Sequence, residues 1–302
     1  MSERRQAVGR LRLRRAVLWL AIVLLVGGIH LAPLFAADEI CDLSNAADAE
    51  LQARLESLLQ AEGLATAVRN RDLALTLLIL TDPDHPRLAQ VNGNHMLYAA
   101  SLPKIAILLG AAVAIDQGRL ELDQPLEDDI HEMIRQSCNA CSNRVLERVG
   151  KQEVLRILKD PRYGFYDQDG GGGLWLGKTY GPGVAYERDP LKGLSHAATT
   201  FQVARFYCGL QRGTLASPAA TELMLDALAN PGIQHKFVKG LQAYGDLEIY
   251  RKSGTWKSWH ADSALVIDGE NVYVIVGLVD DPSGGAWLER LAAPLHELAA
   301  KP

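Results

Sequence analysis

The stretch "YAASLPKIAILLG" (residues 98–110) sets a hydroxyl, Ser101, and an amine, Lys104, at the head of an apolar helical run. Side chains three residues apart share a helix face, so Ser101 Oγ and Lys104 Nζ can meet. Charge on a buried helix face is costly. Burial depresses a lysine pKa, and a neutral amine can accept the proton of a serine hydroxyl and make it a nucleophile. Pro103 falls in the first turn, where its missing N–H costs little, and the positive helix end favours an incoming anion. Alone, S-x-x-K is common, and a snorkelling lysine behind a serine N-cap would account for it.

Two further motifs change that weighing. Ser137-Cys138-Asn139 (S-x-N) precedes a second helical run, and Lys252-Ser253-Gly254 (K-[ST]-G) lies on a strand pattern. Each motif occurs once, and the three contexts fit acyl transfer. In that chemistry Ser101 attacks with Lys104 as its base, and Ser137 relays a proton to the leaving nitrogen. Asn139 holds Lys104 and a substrate amide. Lys252 and Ser253 bind a substrate carboxylate, and Lys252 also polarises Ser137. Gly254 lets the substrate backbone come close. The backbone N–H groups of Ser101 and Thr255 form an oxyanion hole.

The elements that must position these groups follow from periodicity. Residues 46–63 have helical spacing, and 73–82 and 87–94 read as two strands joined by a short turn. Helical patterns fill 101–117, 126–148, 152–159, 197–211 and 217–229. Strands return at 247–256, 262–270 and 271–281, and an amphipathic helix closes the chain. Strands from the two ends must meet in one antiparallel sheet flanked by helices, with the intervening helices forming an all-helical lobe: an α+β fold. Residues 160–195, rich in Gly, Pro and aromatics and without a period, read as a functional loop.

The N-terminus is a separate matter. Residues 1–15 carry six arginines against Glu3, an apolar run follows, and small residues Ala36 and Ala37 end it. This reads as a secretory signal peptide over 1–36, with an uncleaved membrane anchor as the alternative. The expected location is periplasmic or extracellular, and residues 37–302 form the catalytic domain. The whole chain has a net charge of −5, and removal of the basic segment makes it more acidic. Such a protein is a poor partner for nucleic acid, and a membrane is involved only through the N-terminal segment if uncleaved.

Export permits disulfides, and Cys41–Cys208 is conceivable. Cys138 and Cys141 stand at i, i+3, where a helical backbone strains a bridge, so they read as two small buried hydrophobes. No His pair sits at ligand spacing near the cysteines, and no metal is expected. His260 and Asp262 read as a turn histidine and a strand-start aspartate, and His196 as a possible helix cap. Trp175, Tyr180, Trp256 and Trp259 are candidate walls for a substrate.

At these motifs the chain resembles the class A β-lactamase-related serine hydrolases of the penicillin-recognising clan. "SCNACSNRVLERVG" is similar to that family's S-x-N helix, "KSGTW" to its substrate-flanking strand, and "AYERDPLKGLSHAATT" to the stretch leaving its omega loop. The resemblance covers most of residues 37–302. It implies a β-lactamase/transpeptidase-like fold, a site between the two lobes, an acyl-enzyme on Ser101 and no cofactor. Cys138 departs from the family, which often has Asp there, and the segment between Ser101 and Ser137 is shorter. No glutamate matches the omega-loop residue that activates the deacylating water. Asp167 and Asp169 are acids in that loop, and Glu187 reads as part of an ion-pair corner. Three functions stay open: a β-lactam- or amide-opening hydrolase, a cell-wall D,D-peptidase with slow deacylation, and a binding module with a vestigial site. The substrate is a small molecule or a peptide in the first two.

Overall fold

The structure, a computed structural model, describes residues 40–300. The segment read as a signal peptide lies outside the described residues. The chain begins with helices α1 (Ala49–Ala61) and α2 (Ala65–Asn70), then strands β1 (Leu73–Ile79), β2 (Arg87–Val91) and β3 (Leu97–Tyr98). Helices α3 (Lys104–Asp116), α4 (Gln124–Arg135), α5 (Asn139–Val149) and α6 (Lys151–Lys159) follow. Short strands β4 (Tyr166–Asp167), β5 (Gly172–Gly173), β6 (Trp175–Leu176) and β7 (His196–Ala198) punctuate the long loop. Helices α7 (Thr200–Gln211), α8 (Pro218–Leu228) and α9 (Phe237–Leu241) lead to strands β8 (Glu248–Trp256), β9 (Trp259–Asp268) and β10 (Asn271–Asp280). Helix α10 (Gly284–Ala300) closes the chain.

The strands from the two ends meet as their patterns predict, in one antiparallel sheet of order β2-β1-β10-β9-β8. Strand β1 is buried along its whole length, as a strand covered on both faces must be, and it pairs with β10 from Leu73–Val279 to Ile79–Tyr273. One sheet face packs Leu75, Tyr273 and Ile275 against Leu55 of α1 and Leu288 of α10. The other packs Leu78, Val274 and Val276 into a larger core that continues through the helices of the second lobe. Helix α3 sits in that core with every residue from Lys104 to Ala114 buried. It is apolar all round, as a helix enclosed by protein must be.

Three differences from the sequence reading bear on the site. Helix α3 begins at Lys104, and Ser101–Pro103 form a tighter turn closed by Lys104 N–H to Ser101 O (3.2 Å) and Ile105 N–H to Leu102 O (3.2 Å). The run 126–148 is two helices, because Ser137 takes φ +57° and breaks the helix between Arg135 and Asn139. His196 does not cap a helix. It lies on β7, and Thr199 caps α7 by accepting from Gln202 N–H.

Cys41 and Cys208 are joined, tying the N-terminal segment to α7. Cys138 and Cys141 are also joined, against the sequence expectation. Cys138 is the N-cap of α5, with non-helical φ −54° and ψ 119°. That frees the pair from the helical geometry that argued against a bridge, and the Cα atoms lie 5.4 Å apart.

Candidate active site

Ser101 stands in the turn before α3, next to Ala100, whose φ is +51°. Lys104, three residues on, is fully buried. Its Nζ donates to Ser137 O at 2.5 Å, Asn139 Oδ1 at 3.0 Å and Ser137 Oγ at 3.3 Å. The ammonium thus spends its three protons on the S-x-N turn. Lys104 Nζ makes no hydrogen bond to Ser101 Oγ here, so the meeting expected from the S-x-x-K spacing is not formed in this arrangement, and the amine is held on the S-x-N side. Burial lowers the pKa of Lys104 to about 7, so loss of a proton is accessible near neutrality.

Strand β8 brings in the third motif. Lys252 is buried, and its Nζ donates to Ser137 Oγ at 2.9 Å and to Ser253 O at 2.7 Å. Burial and then the Lys104 charge push its pKa well below the usual lysine value. The two lysines therefore converge on one hydroxyl. Gly254 passes against the nucleophile's turn. A Cβ there would stand 2.3 Å from Ala99 O and 2.7 Å from Ser101 N, so only glycine allows this approach. That contact sets the backbone of β8 against the turn that carries Ser101. Ser253 is buried opposite Asp262 and does not line the cavity.

A cavity of about 770 Å³ opens over Ser101. Asn139, Thr255, Tyr98, Tyr180, His196, Trp256 and Trp259 line it. Trp175 does not; it is fully buried, with the Lys159 ammonium 4.8 Å from its ring centre. His260 is half-buried on β9 opposite Thr255. Asp262 is a fully buried strand residue that holds Arg251 (Nε–Oδ1 2.7 Å), so it is structural.

The long loop contributes Tyr180. Its ring centre lies 4.4 Å from Lys104 Nζ, a cation–π contact. Asn143 clamps its backbone from both sides: Nδ2 donates to Tyr180 O at 2.8 Å, and Oδ1 accepts from Tyr180 N–H at 2.9 Å. His196 packs on the Tyr180 ring with centres 4.5 Å apart, and burial lowers its pKa to about 4. Tyr180 Oη and His196 Nε2 are buried without hydrogen-bond partners. No loop acid lines this cavity. Asp167 is exposed and accepts from Asp169 N–H, and Glu187 pairs with Lys159 at 2.9 Å, as the ion-pair reading predicts. Among the described residues no three His, Cys, Asp or Glu side chains gather as a metal site.

Sequence reasoning missed Asn143 and Lys236. Asn143 had a signal, since it stands one helical turn after Asn139 on the same face. Lys236, buried with φ +55°, had none. Its Nζ donates to Gly254 O (2.7 Å), Thr255 Oγ1 (2.9 Å) and Ala261 O (2.9 Å), and burial lowers its pKa to about 8.

The model of the family described as "Beta-lactamase enzyme family" matches residues 50–130 and 124–298. The chain belongs to the beta-lactamase enzyme family. It is thereby a β-lactamase-like serine hydrolase, a class that acts on cyclic amides. No curated protein sequence is significantly similar to it. Solved structures share the fold of this β-lactamase-like hydrolase. A PBP-A mutant, captured as its acyl-enzyme with penicillin G, superposes with a TM-score of 0.63 at 18% identity, covering 83% of this chain and 98% of the other. A β-lactamase from Sphaerobacter thermophilus gives 0.63 at 18% identity, covering 80% and 98%. A variant of the last common ancestor of Gram-negative class A β-lactamases gives 0.61 at 19% identity, covering 82% and 100%.

Proposed function

We propose that this enzyme is exported, opens β-lactam or related amide bonds by forming an acyl-enzyme on Ser101, and releases the acyl group slowly. The observation that carries the first half is the buried Lys104 amine, held against Ser137 and Asn139 and able to lose a proton near pH 7. Ser101 Oγ forms the bond to the carbonyl carbon as the C–N bond breaks. The Ser101 proton passes to Lys104 and, through Ser137, to the departing nitrogen. The backbone N–H groups of Ser101 and Thr255 receive the oxyanion. Lys252, with Ser253 beside it on the strand, supplies the positive field for a substrate carboxylate, and Asn139 holds the substrate amide.

A second reading, a cell-wall D,D-peptidase using the same residues, is favoured by one observation. The loop presents Tyr180 to Lys104, and no carboxylate lines the cavity to activate a deacylating water. Slow release on penicillin is the behaviour the two readings share. The PBP-A neighbour, trapped with penicillin G, lends support by the same fold.

The test is incubation of the enzyme with a reporter penicillin, followed by intact-protein and peptide mass spectrometry. An adduct on Ser101 that persists for minutes or longer, absent from Ser101→Ala, is the expected result. Rapid turnover without accumulation would support a full β-lactamase instead. No adduct on the wild type would sink both enzymatic readings. Export is tested apart: N-terminal sequencing of the secreted or periplasmic protein should begin near Ala37, whereas Met1 or Ser2 on a membrane-bound form would favour the anchor.

A further inference from the structure

Four hydrogen bonds of the site end on one short turn. Lys104 Nζ reaches Ser137 O, Ser137 Oγ and Asn139 Oδ1, and Lys252 Nζ reaches Ser137 Oγ. This turn is not at rest. A non-glycine residue at φ +57° persists only where its surroundings hold it. The next residue, Cys138, caps α5, and its bond to Cys141 closes a ring around Asn139. Cys138 Sγ accepts from Cys141 N–H at 3.1 Å, and Cys138 O accepts from Ser142 Oγ at 2.6 Å. Sulfur is a weak acceptor where helix N-caps ordinarily carry Asp, Asn, Ser or Thr. The covalent bond does the holding that a stronger cap would otherwise do.

We propose that the Cys138–Cys141 disulfide positions Ser137 and Asn139 for acylation, so that its reduction by a dithiol turns the enzyme down. The inference rests on the acyl-enzyme reading above. A thiolate of the dithiol attacks Sγ of Cys138, the less buried residue of the pair, and forms a mixed disulfide. Cys141 leaves as a thiolate and takes a proton. The second thiol of the reductant then attacks its own sulfur in the mixed disulfide and frees Cys138. Two electrons and two protons reach the protein, and the reductant leaves as a cyclic disulfide. Cys41 and Cys208 are both fully buried, so the other bridge is shielded from the same attack. Reduced, Cys138 keeps only a weak cap, the turn relaxes, and Lys104 loses acceptors that hold it.

The experiment compares full-length wild type with Cys138→Ala/Cys141→Ala and with Cys138→Asp/Cys141→Ala, each folded as judged by thermal midpoint. The Ala/Ala variant should form the penicillin adduct about tenfold or more slowly, and Asp, a strong cap, should restore the rate to within about threefold. Wild type treated with dithiothreitol should slow in step with alkylation of Cys138 and Cys141 while Cys41 and Cys208 stay oxidised. A second readout needs no substrate: amine labelling of Lys104, read by peptide mass spectrometry, should be about fivefold faster in the Ala/Ala variant as its acceptors loosen. Equal acylation and equal labelling in all three proteins would overturn the proposal. Should wild type form no adduct, the acyl-enzyme reading fails and the acylation part of this proposal with it, while the Lys104 labelling still decides whether the bridge holds Ser137 and Asn139 in place.

Discussion

The two sides of the cavity above Ser101 are built differently. On the side of α3, α5 and β8, Lys104, Ser137, Asn139 and Lys252 hold one another, and Gly254 presses the strand against the nucleophile's turn. On the side of the long loop, Tyr180 and His196 stack, each keeps a polar atom without a partner, and no acid comes near. Tyr180 is placed as firmly as Lys104, by both arms of Asn143. The contrast is therefore one of chemistry and not of order. One side gathers two amines and a hydroxyl that share hydrogen bonds. The other presents a phenol, whose pKa burial raises well above its usual value, and an imidazole too acidic to hold a proton at neutral pH. A site so divided is the basis of the reading proposed above, in which Ser101 takes an acyl group readily and gives it up reluctantly.

Removal of Lys104, the base in the proposed mechanism, should have the largest effect. Lys104→Ala should slow adduct formation by about 10³-fold, within the usual range for a general base, as followed by mass spectrometry or stopped flow. A retained rate would show that the proton-moving side had been misread. Next comes the opposite side. Tyr180→Glu sets a carboxylate, its pKa raised by burial, over the same cavity, and should shorten the adduct lifetime about tenfold or more. An unchanged lifetime would break the contrast, because something other than the missing acid would then limit release.

Smaller is the effect of pH. Neutral Lys104 accepts the proton, so acylation should climb with pH through about 7 and fall about tenfold per unit below it. His196 charges only near 4 and adds nothing between pH 6 and 8. A flat profile over that window would assign the proton to another group. Least of all, Glu187→Gln should leave acylation unchanged and cost less than about 1 kcal/mol in a denaturant titration, since its pair with Lys159 is partly solvated.

The gathering of Lys104, Ser137, Asn139 and Lys252 could be read from the chain because these residues sit in short local patterns. S-x-x-K and S-x-N encode which side chains leave a turn together, and K-S-G encodes a strand with a gap where a backbone must pass. The sheet was legible for a similar reason: β1 and β10 are long apolar runs that only a two-sided neighbourhood can satisfy. The loop side was not. Tyr180 meets Lys104 through a fold-back of irregular chain, and no period records it. The break at Ser137 was hidden because Ile134, Cys141 and Val145 continue the apolar spacing across a residue with positive φ. The same oversight concealed the Cys138–Cys141 bridge, which needs the non-helical cap that the break creates. Lys236 lies 16 residues before Lys252 and meets Gly254 and Thr255 only after the chain has turned through α9.

The Cys41–Cys208 bridge joins residues 167 apart in the chain. Its ring encloses Ser101, Ser137 and all of residues 160–195, and leaves β8, β9 and β10 outside. The tip of the long loop, Gly181–Val184, is exposed, with Val184 at 90%. A protease that cuts there sheds no fragment, for the two pieces stay tethered through the sulfurs. Nicked enzyme would migrate as one species on a non-reducing gel and as two once thiol is added.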